Sequence, residues 1–336
     1  MKIKFLLSAC LVALAMGTQA KDYQYKTFAG DLTKTRIYTL DNGLKVYLSV
    51  NPEKPRIQTY IAVRTGSKND PAETTGLAHY LEHLMFKGTL QFGTNNAVAE
   101  APLLDQIEQR YEAYRKLTDP AVRKQAYHEI DSVSQVAAQY FIPNEYDKLM
   151  AAIGARGTNA FTSDDVTCYT EDIPSNEVEN WAKIQSDRFQ HMVIRGFHTE
   201  LEAVYEEYNI YLTDDNDKVF SALGKKLTPT HPYGTQTTIG TQDHLKNPSI
   251  TNIKNYFNKW YVPNNVAICT FICWFRLRSK RPALPLLSML SMTSRVSHWS
   301  SEPFFANQAI QTCSACCPTT AVSAGAVRGR CTGNTG

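Results

Sequence analysis

The sequence predicts a globular α/β or α+β fold, in which strands and helices alternate without a strict repeat. Runs rich in β-branched and aromatic residues are bounded by turn residues, and longer runs carry apolar residues at three- and four-residue spacing. The chain of 336 residues is 43% hydrophobic and 20% charged, a globular composition that suffices for one large or two ordinary domains. The net charge of +3 gives no argument for a nucleic-acid partner, and we expect none.

Residues 1–20 are typical of a secretory signal peptide. Lys2 and Lys4 precede an apolar stretch, and Thr18–Ala20 has small residues at both critical cleavage positions. We therefore expect an exported, periplasmic or secreted protein. The apolar stretch is too short to span a bilayer and no other stretch is a candidate, so no transmembrane span is expected in the mature chain. A lipoprotein anchor at Cys10 is the alternative, because "LSAC" resembles a bacterial lipoprotein cleavage site.

The first structured part reads as strands followed by a helix. "TRIYTLDNGLKVYLSV" has two β-rich runs around Asp41-Asn42-Gly43, the strongest short signal for a β-hairpin. "RIQTYIAVRTGS" predicts a further strand. The next run, "GLAHYLEHLMFKG", begins at Gly76 and ends at Gly88, and its apolar spacing predicts a helix.

Long amphipathic helices are predicted from about Asn95 to Tyr146, with a break at Asp119-Pro120. "GTNAFTSDDVTCYTEDI" then returns to strand character, and Ser175 is expected to cap the helix that begins "NEVENWAK". A helical run, a turn-rich connector, a helix and a strand follow in "ELEAVYEEYNIYLTDDNDKVFSALGKKL", "HPYGTQTTIGT", "ITNIKNYFNKWY" and "NNVAICTF".

The character of the sequence changes near Thr270. Residues 270–336 contain seven Lys/Arg residues and a single acidic residue, Glu302, although the whole chain has 32 Asp and Glu residues. No helix or strand periodicity continues there, so we predict an anomalous tail of low order over 270–336. A reading-frame error near codon 270 is our hypothesis for the change, and a disordered basic tail is the alternative.

The helix "GLAHYLEHLMFKG" places His79, Glu82 and His83 on one face. Residues at i, i+3 and i+4 share a face, so the two ring systems can converge on one ion. Two imidazoles suit Zn²⁺, and a catalytic zinc needs a third protein ligand and an open position for water. Glu82 could then take a proton from the zinc-bound water and pass it to a leaving amine. H-x-x-E-H is the inverted form of the H-E-x-x-H metalloprotease motif. The apolar context and the glycine bounds disfavour the alternative, an ordinary helix with three incidental polar residues.

The third ligand is expected to be acidic and to lie on another element. The run "TELEAVYEEYN" has four candidate carboxylates, Glu200, Glu202, Glu206 and Glu207. Helical rotation turns Glu206 about 100° away from Glu207, so both cannot point at one ion.

Several motifs together resemble the pitrilysin/insulinase family of zinc peptidases. They are "GLAHYLEHLMFKGT", "GTNAFTSDDVTCY", "ELEAVYEEYN", "HPYG" and "YVPNN", and they cover residues 35–268 in the family's order. The resemblance implies an α+β fold, with a mixed, mainly antiparallel sheet packed with helices, as a peptidase domain over 35–269. The spacing between His83 and Glu207 is longer than usual in the family. The helical block at 95–146 is therefore interpreted as an insertion, either over the cleft or as a peripheral hairpin.

The resemblance also implies roles for individual residues. The family's third zinc ligand is a glutamate that follows another glutamate by seven positions, which Glu207 and Glu200 match. Glu207 is accordingly predicted as the ligand, with Glu206 as its competitor, and Glu200 as a supporter that orients a ligand histidine.

The motif "GTNAFTSDDVTCY" corresponds to a family strand whose edge receives the substrate as an added strand. Asn159, Ala160 and Thr162 are the substrate-binding candidates on it. The alternative is that they only end a strand.

We therefore expect a zinc metalloendopeptidase that binds one Zn²⁺ per chain and cleaves peptides or unfolded polypeptides, with Glu82 as the catalytic base. Family enzymes enclose the substrate with a second related domain, and nothing in 270–336 resembles one. The alternative is a non-catalytic or half-enzyme subunit that needs a second domain or partner chain.

Overall fold

The computed structural model describes residues 23–50 and 55–272. The predicted signal peptide, with Cys10, lies outside these residues, as does the predicted tail from Cys273 onward. The last described strand continues to Ile272, three residues beyond the predicted domain boundary at residue 269.

A seven-stranded sheet is the frame of the described domain. Its strands are β1 (Tyr25–Lys26), β2 (Arg36–Thr39), β3 (Lys45–Val50), β4 (Arg56–Val63), β5 (Arg156–Thr162), β6 (Thr167–Pro174) and β7 (Val266–Ile272). The spatial order is β1-β2-β3-β7-β4-β6-β5, which leaves β5 at one edge. The β3–β7 pair is parallel and the other pairs are antiparallel. The predicted α+β class with a mixed, mainly antiparallel sheet is confirmed.

The hairpin between β2 and β3 forms where the Asp-Asn-Gly signal predicts it. The backbone N–H of Leu40 bonds to the carbonyl of Leu44 at 2.9 Å, which closes the turn. Gly43 has a φ of 88°, a left-handed conformation that glycine adopts without steric cost.

Ten α-helices lie between strands along the described part of the chain. They are α1 (Leu77–Leu84), α2 (Ala97–Tyr114), α3 (Pro120–Ala138), α4 (Glu145–Ala152), α5 (Val178–Gln190), α6 (Phe197–Thr213), α7 (Asp215–Leu227), α8 (Pro232–Thr235), α9 (Gln242–Leu245) and α10 (Ile250–Trp260). Helices α2 and α3 occupy the predicted helical block. Asp119 caps α3, because its side chain accepts hydrogen bonds from Ala121 N and Val122 N. None of the described helices is long and apolar enough to cross a membrane.

Two local predictions are corrected. Ser175 does not cap α5: it begins a 3₁₀ turn, Ser175–Glu177, and α5 follows without a side-chain cap. The run "ELEAVYEEYNIYLTDDNDKVFSALGKKL" is two helices, because Asp214 leaves the helical conformation and its carboxylate caps α7 through Asn216 N at 2.8 Å.

The core lies between the sheet and the helices on one of its faces. Along β4, Ile57, Thr59, Ile61 and Val63 are buried and alternate with half-buried residues, as expected of a strand with one covered face. Helix α1 packs its apolar residues into this core, and Leu81 and Leu84 have no exposed surface. The polar face of the same helix is thereby held in a defined direction.

A buried arginine joins the end of α1 to the sheet. The guanidinium of Arg188 on α5 is fully buried and lies 4.5–5.5 Å from the ring centroids of four aromatic residues, Phe86, Tyr146, Tyr169 and Phe189. Its nitrogen atoms have no hydrogen-bond partner among the described residues, so the ring faces supply the main contacts of the charge.

The fully buried carboxylate of Glu171 on β6 belongs to the same cluster. It accepts hydrogen bonds from the Tyr146 hydroxyl at 2.6 Å, from Trp181 Nε1 at 3.1 Å and from Gln185 Nε2 at 3.4 Å. Tyr146 thus touches both the buried cation and the buried anion, which ties α4 and α5 to β6.

We expect the substitution Glu171→Leu to lower the free energy of unfolding by about 3–5 kcal/mol, because it leaves the buried donors of Tyr146, Trp181 and Gln185 without this acceptor. Denaturant titration measures the change. Glu179→Leu on the exposed face of α5 is the control, expected to stay within about 0.5 kcal/mol of wild type. Equal stability of the two variants would contradict this account of the cluster.

Candidate metal centre

Asp70 fixes the N-terminus of α1. Its buried carboxylate accepts hydrogen bonds from the backbone N–H groups of Gly76, Leu77 and Ala78 at 2.8–3.2 Å. The first N–H groups of a helix have no intrahelical partner, so this carboxylate satisfies donors that would otherwise be buried and unpaired. The helix therefore starts at a defined point, two residues before His79.

The two histidines of α1 converge as their spacing predicts. His79 Nε2 and His83 Nε2 lie 3.2 Å apart, and the ring planes are nearly perpendicular at 86°. Both side chains are largely buried, with 16% and 20% of their surface exposed. The ring nitrogens point into one small space at the surface of the helix.

Helix α6 brings Glu207 to the same space. Its Oε2 atom lies 3.4 Å from His79 Nε2 and 3.6 Å from His83 Nε2. The three potential ligand atoms all lie within 4.8 Å of one another, and this is the metal-ligand cluster found within residues 23–50 and 55–272. Ligands of a tetrahedral zinc lie about 3.3–3.5 Å apart when each bond is about 2.0–2.1 Å, so the donor set fits that ion.

Glu206 does not join the cluster. It is exposed, and its carboxylate accepts a hydrogen bond at 3.4 Å from Asn209 on the same helix. Of the two competing glutamates, Glu207 is the one that lies beside both histidines.

Burial and neighbouring charges give the two histidines different protonation behaviour. Burial lowers the pKa of His79 to about 4, so this ring is neutral near neutral pH. Burial also acts to lower the pKa of His83, but the carboxylates of Glu200, Glu207 and Glu82 outweigh it and raise that pKa above its ordinary value. Without a metal, the proton of the pair is therefore held on His83.

Glu200 supports His83 from the side opposite the cluster. His83 Nδ1 donates to Glu200 Oε1 at 2.9 Å, which leaves Nε2 directed at His79 and Glu207. The second carboxylate oxygen of Glu200 pairs with Lys87 Nζ at 2.5 Å. Burial acts to raise the pKa of Glu200, but His83 and Lys87 outweigh it and hold that pKa below its usual range. The carboxylate is thus kept ionised as a hydrogen-bond acceptor.

Glu82 lies next to the cluster and is 7% exposed. Its Oε2 atom accepts a hydrogen bond from the hydroxyl of Thr162 at 2.5 Å. Burial raises the pKa of Glu82, although Thr162 and His83 act to lower it. A carboxylate with a raised pKa is better suited to take up and release a proton near neutral pH.

The edge strand β5 carries the three substrate-binding candidates, Asn159, Ala160 and Thr162. The N–H of Ser163 bonds to the carbonyl of Val166 at 2.8 Å and closes the hairpin to β6. Antiparallel partners alternate between hydrogen-bonded and non-hydrogen-bonded pairs, and Thr162 pairs with Thr167 next to this closure. The backbone groups of Thr162 and Ala160 consequently point to the open edge of the sheet, whereas those of Asn159 point toward β6.

Lys87 and Asp70 are site residues that sequence reasoning missed. Lys87 follows His83 by four positions, which places it one turn farther along the same face, so its spacing was an available signal. Asp70 lies six positions before Gly76 and reaches it across an irregular turn, and no local pattern marks that contact.

Comparisons with known proteins match part of this chain to a peptidase family and to named zinc proteases. The family model "Insulinase (Peptidase family M16)" matches residues 45–116, which include the H-x-x-E-H motif. The uncharacterized zinc protease YmxG of Bacillus subtilis is 25% identical over 233 residues, covering 69% of this chain and 44% of the relative. The chain thus spans less than half the length of that curated relative.

Two solved structures share the fold. A protease from Helicobacter pylori gives a TM-score of 0.58 at 19% identity, covering 80% of this chain and 52% of that one. The first half of the periplasmic protease PqqL from Escherichia coli gives 0.53 at 17% identity, covering 83% of this chain and 50% of that one. The fold is therefore that of pitrilysin-type proteases, and the named relatives support zinc binding in the family and a peptidase function.

We expect the affinity for Zn²⁺ to rise with pH until the pH exceeds the raised pKa of His83. Binding through Nε2 requires the neutral ring, so each pH unit below that pKa weakens the apparent affinity by about tenfold. Competition with a chelator across the histidine titration range measures this. Glu200→Gln removes a charge that raises the His83 pKa. The zinc affinity of this variant should therefore stop rising at a lower pH than that of wild type. An affinity for wild type that does not depend on pH would contradict the assignment of the proton to His83.

The substitution Lys87→Met should weaken Zn²⁺ binding by about tenfold, because Glu200 loses the cation that holds it ionised against His83. The same chelator competition measures the effect, with Lys124→Met on the exposed face of α3 as the control. Unchanged zinc affinity of Lys87→Met would show that Glu200 needs no such support.

Proposed function

We propose that this chain, because it carries a domain of the insulinase/pitrilysin family, is a zinc-dependent endopeptidase that hydrolyses peptides or unfolded polypeptides. One observation carries the proposal. His79, His83 and Glu207, from two helices, bring their ligand atoms within 4.8 Å of one another, with the buried carboxylate of Glu82 beside them.

In this proposal His79, His83 and Glu207 hold one Zn²⁺ per chain, and Glu200 orients His83 through Nδ1. Each histidine can offer a nitrogen lone pair to the metal. His79 is already neutral, and His83 can release its proton to the surrounding carboxylates. When bound, the zinc would lower the pKa of a water molecule and polarise the scissile carbonyl.

Glu82 is proposed as the general base and acid. It takes the proton from the attacking water, which becomes a better nucleophile, and then delivers that proton to the amine that leaves. Its raised pKa supports both roles, because a strongly acidic carboxylate would accept the proton poorly. Its burial keeps competing bulk water away from the reacting atoms.

The substrate is proposed to add to the sheet as an extended strand along β5. The backbone groups of Ala160 and Thr162 on the open edge would pair with the peptide backbone, and Asn159 would contribute its side chain. A peptide bonded in this way is recognised mainly through its backbone. Such recognition favours unfolded chains and does not select one particular sequence. The end of β5 at Thr162 lies against Glu82, so this placement would bring the peptide to the metal centre.

A structural neighbour supports proposals for the location of the protein and for a partner domain. PqqL of Escherichia coli, one of the structural neighbours, is a periplasmic protease, which supports the exported location predicted from residues 1–20. The neighbour is also the first half of a longer protein, and the chain covers about half of it. A second peptidase-like domain or partner chain that completes the cleft is therefore part of the proposal.

The variant Glu82→Gln should retain one equivalent of Zn²⁺ and lose peptide hydrolysis by at least about a hundredfold, because the amide cannot accept the proton. Cleavage of a fluorogenic peptide and metal analysis of the same sample measure both properties. Glu206→Gln is the matched control and should cleave as wild type does. Zinc-loaded Glu82→Gln that cleaves at the wild-type rate would refute the assignment.

The same assay separates the enzyme from the half-enzyme. Hydrolysis by the chain alone that EDTA abolishes and zinc restores supports the endopeptidase. One equivalent of zinc without hydrolysis, followed by hydrolysis on addition of the second half of a relative, supports the half-enzyme. Hydrolysis that EDTA leaves unchanged overturns both.

A further inference from the structure

Thr162 connects the edge strand to the general base. It is the last residue of β5, and its hydroxyl donates to Glu82 Oε2 at 2.5 Å. No other side chain in residues 23–50 and 55–272 is recorded as donating a hydrogen bond to Glu82. A glutamate side chain has three rotatable torsions, so this one bond has a large share in deciding where the carboxylate points.

The strand end that carries this hydroxyl is itself held in place. Thr162 pairs across the hairpin with Thr167, and their hydroxyl oxygens lie 3.4 Å apart. The hydroxyl of Thr167, in turn, donates to the carbonyl of Thr65 at 3.1 Å. The next residue of the turn, Ser163, accepts a hydrogen bond at its carbonyl from Ser67 N at 3.1 Å. The end of β5 is therefore anchored to the segment that leads into α1.

The same residue faces two ways. Its backbone N–H and carbonyl point to the open edge, as the alternation from the Ser163–Val166 closure requires, while its side chain points at α1. A peptide strand bonded to this edge would pair with the backbone of Thr162, while the hydroxyl of the same residue bonds to Glu82.

We propose that Thr162 is a positioning residue, whose hydroxyl orients Glu82 and links occupation of the β5 edge to the hydrolytic step. This inference rests on the proposed peptidase function. It refines the prediction that Thr162 binds substrate: the backbone of Thr162 would bind the peptide, and its hydroxyl would orient the base.

The test compares three variants with wild type for zinc content, KM and kcat on one fluorogenic peptide. Thr162→Val keeps the shape and the backbone but removes the donor, and Thr162→Ser keeps the donor. Thr118→Val, at an exposed position between α2 and α3, is the matched control. We expect Thr162→Val to lose about 10- to 100-fold in kcat with KM and zinc content unchanged, and Thr162→Ser to recover most of that loss. Thr118→Val should keep the wild-type kcat.

Other results overturn the inference. A wild-type kcat for Thr162→Val would show that the hydroxyl does not orient Glu82. Equal losses in Thr162→Val and Thr162→Ser, with a higher KM, would assign the effect to the strand edge. If Thr162→Val melts at a lower temperature than wild type, Thr162→Ala measured against Thr162→Ser decides between the same two outcomes. A wild-type chain that cleaves no peptide, with or without a second half, overturns the proposed function itself and this inference with it.

Discussion

The buried carboxylate of Asp70, which accepts three backbone hydrogen bonds from the start of α1, is the constraint on which the site depends. It sets where the helix begins, and helical geometry then sets the directions of His79, Glu82 and His83. At the other end of the helix, Phe86 packs on the buried guanidinium of Arg188. A helix of eight residues would not be stable alone, so tertiary contacts at both ends hold it in register with α6 and β5.

The electrostatics of the site favour a cation. Three carboxylates lie around the two histidines, those of Glu82, Glu200 and Glu207. The ammonium of Lys87 pairs with one of them, Glu200. The excess of negative charge is partly buried, where each unpaired charge is costly. It raises the pKa of His83, whereas burial is the main cause of the raised pKa of Glu82. A divalent cation would relieve the excess charge.

Local sequence patterns predicted those parts of the fold and site that depend on short-range geometry. The hairpin at Gly43 and the convergence of His79 and His83 follow from turn chemistry and from one helical turn. The sequence pattern did not predict the break between two helices at Asp214. The apolar spacing continues across that position, and only the capping carboxylate marks it. Two features join residues that are distant in sequence: the aromatic rings around Arg188 and the hydrogen bond from Thr162 to Glu82. Both depend on how the helices pack on the sheet.

The irregularity in β5 shortens the regular open edge of the sheet. Between Arg156 and Asn159 the register with β6 shifts, and Gly157 has a φ of 59°, the left-handed conformation of a glycine bulge. An open sheet edge is a template for association with any extended chain, including another copy. Because the bulge bends the strand, the regular edge is confined to Asn159–Thr162. Such an edge is long enough to hold a short peptide segment and too short to support the continuous strand pairing from which aggregates grow.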